Sequence, residues 1–69
     1  MKIKDRAIRM CETYVQVVKN DPEFKTRMLA KVWAFSDIGV LTFEEAIHYI
    51  DMVTDSANEA ERRIKKCMS

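Results

Sequence analysis

His48 is the only histidine in this sequence of 69 residues, and Glu45 stands three positions before it. Glu-x-x-His is the spacing with which helical bundles hold carboxylate-bridged metal pairs. Such a centre also needs further inward carboxylates and a second copy of the motif. The heptad frame set out below places Glu45 and His48 at c and f, pointing away from the seam. A solvated histidine beside carboxylates is therefore the preferred reading, with neither metal nor cofactor expected. Ser36, Ser56, Ser69, Thr42, Cys11 and Cys67 have no base paired with them in the sequence, and one glycine cannot build a phosphate-cradling loop. No catalytic residue is assigned, and the chain is read as not being an enzyme, because catalysis needs a water-excluding pocket with convergent polar groups.

What remains for function is charge and apolar surface. Residues 1–31 carry eight basic and four acidic groups, residues 32–61 carry seven acids and no Lys or Arg, and residues 62–69 carry four basic groups, although the total is only +1. Glu44, Glu45, Asp51, Asp55 and Glu59 fall at b, c and f of the heptad frame and make one acidic strip, read first as a solvated face and, as the sharper alternative, as a docking strip that steers a basic partner. The basic residues Lys2, Lys4, Arg6 and Arg9, with Arg62, Arg63, Lys65 and Lys66, would form a phosphate-binding patch if the two chain ends meet. Nucleic-acid binding is thus the alternative reading, against which stands the balanced charge. The turn at 36–42 is also too long for a helix-turn-helix. Apolar contact with another chain is assigned to Trp33, Phe35, Tyr49, Ala57, Ala60 and Ile64.

The elements that must position these groups are helical. One Gly and one Pro in the whole chain leave few turns, and Ala, Met, Glu, Lys and Arg abound. From about 3 to 20, Ile3, Ala7, Met10, Tyr14 and Val17 recur at 4-3-4-3, with Cys11 and Val18 widening the stripe. Asn20-Asp21-Pro22-Glu23 ends that helix and starts the next, Pro22 taking the first helical position. The second runs from 22 to 37 with Phe24, Met28, Val32 and Phe35 on one stripe and Leu29 and Trp33 beside it. Gly39 then suits a left-handed C′ position. Thr42-Phe43-Glu44-Glu45 fits a capping box, with Leu41 stapled onto Ala46. From 43 to 67, Phe43, Ala46, Ile50, Val53, Ala57, Ala60, Ile64 and Cys67 keep strict 3-4 spacing, a heptad seam. At 1.5 Å per residue the third helix is about 37 Å long, against about 27 Å and about 24 Å for the others. It should overhang them.

The sequence therefore predicts an all-α protein, one helical domain over 1–69: an antiparallel up-down-up bundle of three helices with a long last helix. So small a core is marginal, so a homodimer through the third helix and the surface near Trp33 is expected. The cysteines read as reduced apolar residues of a cytoplasmic protein. The N-terminus lacks the apolar run of a secretory signal, and no stretch reaches the ~18 apolar residues of a membrane span. The function expected is non-catalytic: an adaptor, inhibitor or other regulatory protein that works through protein–protein interaction, in the size class of phage and mobile-element accessory proteins.

Overall fold

The computed structural model describes residues 3–68, with side chains through residue 66. Three α-helices account for nearly all of it: α1 (Ile3–Asn20), α2 (Lys25–Asp37) and α3 (Phe43–Met68); no strand occurs among the described residues. The side chains of Lys2 and Cys67, both named above, lie outside the described ones.

The boundaries follow from local chemistry. Asp21 closes α1 by donating its N–H to the Val17 carbonyl (2.9 Å), and its carboxylate accepts from the Glu23 N–H (3.3 Å). Proline follows at once, and the expected start of the second helix at 22 becomes a tight 3-10 turn, Pro22–Phe24. Phe24, at φ −82 and ψ 2, sits in the bridge region, so α-helical geometry resumes only at Lys25. The end of α2 is a Schellman motif: Gly39 donates to the Ser36 carbonyl (3.0 Å) and Val40 to that of Phe35 (2.9 Å). Gly39 supplies the left-handed residue at φ +80. The capping box forms as its spacing predicts. Glu45 N–H donates to Thr42 Oγ1 (3.1 Å), Thr42 N–H to Glu45 Oε1 (2.9 Å), and Leu41 and Ala46 are both buried.

The core joins all three helices. Ala7, Cys11, Tyr14, Val15 and Val18 of α1 pack with Met28 and Val32 of α2, with Leu41 of the turn, and with Ala46, Val53 and Ala57 of α3. In α1 the buried row is Ala7–Cys11–Tyr14–Val18, displaced from the expected one; Ile3 (71% exposed) and Met10 (45% exposed) stand outside it. Two apolar rows of equal spacing compete on this helix, and packing takes the one with smaller side chains. That row packs in one core with Ala46, Val53 and Ala57 of α3. The seam of α3 is buried at Ala46, Val53, Ala57 and Ala60 and half-buried at Ile50, but its first member, Phe43, is 63% exposed at the helix start.

Two contacts tie α1 to α3. Lys4 Nζ lies 2.9 Å from Glu45 Oε2 where both helices begin, and Arg63 Nη2 donates to the Lys19 carbonyl (3.5 Å) where α1 ends. From Arg63 onward α3 runs past α1 by about 7 Å.

Candidate partner-binding face

The apolar face is built across α2 and α3. Trp33 projects from α2 next to Leu29, one turn earlier, while Phe43 and Ile47 project one turn apart from the start of α3. The Trp33 and Phe43 rings lie 5.8 Å apart at 36°, a tilted stack. Phe43 is 63% exposed, Trp33 37% and Ile47 36%. Glu44, Ile47, Asp51 and Asp55 succeed one another at 3-4-4, so three carboxylates run beside Ile47 on one side of α3. Asp37 stands one turn beyond Trp33 on α2. Glu44, Asp51, Asp55, Glu59 and Asp37 are exposed, and none of them has an ion pair among the described residues. Asp55, Asn58, Glu59 and Arg62 line a shallow depression farther along α3.

Glu45 differs from the rest of this strip in its partners within the chain. It is half-buried and already committed to the Thr42 cap and to Lys4, and those hydrogen bonds hold its carboxyl below the usual range, the Thr42 amide contributing most. The tight cap that sets the first turn of α3 therefore also fixes α1 against it.

The apolar contact residues divide. Trp33 and Ile64 (44% exposed) are open to a partner. Ala57 and Ala60 are not: at 0% and 2% exposed they are sealed by their own chain. The last turn of α1 reaches the level of Arg63, and the Pro22–Phe24 turn also packs on α3, so cover extends farther along α3 than helix lengths alone indicate. Phe35 and Tyr49 are half-buried and pack against the core. Tyr49 also takes the His48 ring edge-on at 5.1 Å, and burial pushes its hydroxyl pKa up. Phe43 and Ile47 were missed as surface residues. Phe43 keeps the seam spacing, and only its place at the helix start marks it as uncovered.

The basic residues do not converge. Lys4 lies where α1 and α3 begin, with Arg6 and Arg9 following on α1, whereas Arg62, Arg63, Lys65 and Lys66 lie in the last turns of α3, where Arg63 reaches the Lys19 carbonyl at the end of α1. The single phosphate-binding patch that would need both groups is not formed. Among the described residues no three His, Cys, Asp or Glu side chains gather as metal ligands would, and no helix is long and apolar enough to cross a membrane. Cys11 is wholly buried and unpaired, its thiol pushed up to about 11 by burial, with Glu12 adding to the shift. Comparison of the chain with protein-family models, with curated proteins and with solved structures finds no match.

Proposed function

We propose that this chain is a non-catalytic helical binding module, an adaptor or inhibitor that acts on another macromolecule through the Trp33–Phe43–Ile47 face. The observation that carries this reading is the exposed aromatic stack. A domain with so few large side chains in its core leaves a phenylalanine and its only tryptophan stacked at the surface. Aromatic anchors of this kind dominate the energy of interfaces. The supporting scaffold is an up-down-up bundle, an order favoured by the joining of α1 and α3 at like ends through Lys4–Glu45 and Arg63–Lys19. Self-association as a homodimer is part of the same reading, with Ile64 on the overhanging end of α3 as its contact, away from the aromatic face. A reduced, buried Cys11 fits a cytoplasmic setting, and the small size fits an accessory protein of a phage or mobile element.

The experiment is comparative capture from the native source on immobilised wild type, Phe43→Ser and Arg62→Glu/Lys65→Glu. The reading expects one defined protein held by wild type and by the charge variant and lost with Phe43→Ser. Retention by Phe43→Ser, or capture that depends on the basic residues and on nucleic acid, overturns it.

A further inference from the structure

Resting on the binding-module reading, we infer that the Trp33–Phe43–Ile47 face takes a basic amphipathic helix of another protein, laid along α3 from Phe43 to Asp55. The charge that residues 32–61 place beside this face is of one sign. Asp37 stands on the α2 side and Glu44, Asp51 and Asp55 on the α3 side, with no Lys or Arg anywhere from residue 32 to 61. Those four carboxylates have no ion pair among the described residues.

Phe43 to Asp55 spans about 18 Å along α3, the length of a helix of roughly twelve residues. An occupant with apolar residues at i, i+3, i+4 and i+7 would cover Trp33, Phe43 and Ile47, with its Lys or Arg flanks meeting the carboxylates. An acidic or purely apolar occupant would leave the carboxylates facing like charge or stripped of water without a partner. The carboxylates thus select the occupant and speed its encounter, and the aromatic stack holds it.

Trp33 is the chain's only tryptophan, so its emission reports occupancy directly. The probe is a synthetic peptide of about eighteen residues, leucine at the helical i, i+3, i+4, i+7 positions and lysine elsewhere, without aromatic residues. Its control carries glutamate in place of every lysine. The lysine peptide should shift Trp33 emission to the blue with saturation, weaken as salt rises, and lose about tenfold in affinity against Asp51→Lys/Asp55→Lys. The glutamate peptide should leave Trp33 unchanged, and Phe43→Ser should abolish the response to lysine peptide. All three substituted residues are exposed, so circular dichroism should show intact helices in the variants.

Equal response to both peptides overturns the charge selection. A Trp33 shift that depends on protein concentration alone shows a second copy in the site and overturns the assignment to a foreign helix. No response to lysine peptide, while comparative capture still requires Phe43, overturns the basic-helix assignment and leaves the binding-module reading standing.

Discussion

Val53→Ala and Ile64→Ala, two truncations on one helix row, should differ sharply. Val53 is 0% exposed and sits among all three helices, whereas Ile64 is 44% exposed beyond the end of α1. Truncating Val53 removes two methyl-sized groups, about 1.6 kcal/mol of transfer free energy at 0.8 each, and the unrelaxed cavity adds up to about 1 kcal/mol. Alanine's better helix propensity returns about 0.5 kcal/mol, leaving a loss of about 2 kcal/mol. A domain of this size holds roughly 3–10 kcal/mol in total, so Tm should fall by about 8–16 °C. Ile64 keeps nearly half its surface in water, and its truncation should cost under about 1 kcal/mol in dilute solution. Thermal melts followed by circular dichroism check both. The comparison is made at several protein concentrations, because a dimer through Ile64 makes the wild-type Tm rise with concentration while that of Ile64→Ala stays flat. A dilute Ile64→Ala melt as low as that of Val53→Ala would refute the placement of the core, and so would a Val53→Ala shift under about 3 °C.

Thr42→Ala removes the hydroxyl that receives the Glu45 amide and should cost about 1 kcal/mol, read by urea denaturation. The Glu45 carboxyl titrates lower in the folded chain than its ordinary 4.5, so its contribution is present above that pH and is lost as acid carries the solution down through the folded value. The acid limb of a stability profile should therefore be shallower in Glu45→Gln than in wild type. Gly39→Ala has room for its Cβ, with nothing within 4 Å, yet keeps φ +80; the backbone alone should cost about 1–2 kcal/mol in the same assay. Cys11 titrates near 11 when folded against 9.0 when exposed, so the unfolded chain ionises first and stability should fall as pH rises past about 9. Denaturant midpoints from pH 8 to 11 check this, and Cys11→Ala should flatten the decline.

The local signals proved the most readable part of the sequence. Asp21-Pro22, Gly39 and Thr42-x-x-Glu45 each act through their own neighbours, so residue type and spacing suffice to place the ends of the helices. The choice of row in α1 was not readable: Met10 and Cys11 differ by one position, and only the packing of the three helices together decides between them. The burial of Ala57 and Ala60 was hidden for a related reason, since it depends on how the rest of the chain packs along α3. At the candidate face the carboxylates and Trp33 were visible as types. Phe43 was hidden by its seam spacing, and Glu45 by the two roles that its position allows.

The central claim is that the Trp33–Phe43–Ile47 face is the working surface. Amide and indole chemical-shift mapping of the 15N-labelled chain against the captured partner tests it most directly. The largest shifts should fall on the Trp33 indole and on Phe43, Ile47 and Asp51. Shifts centred instead on Lys4 to Arg9, or on Arg62 to Lys65, would contradict the account.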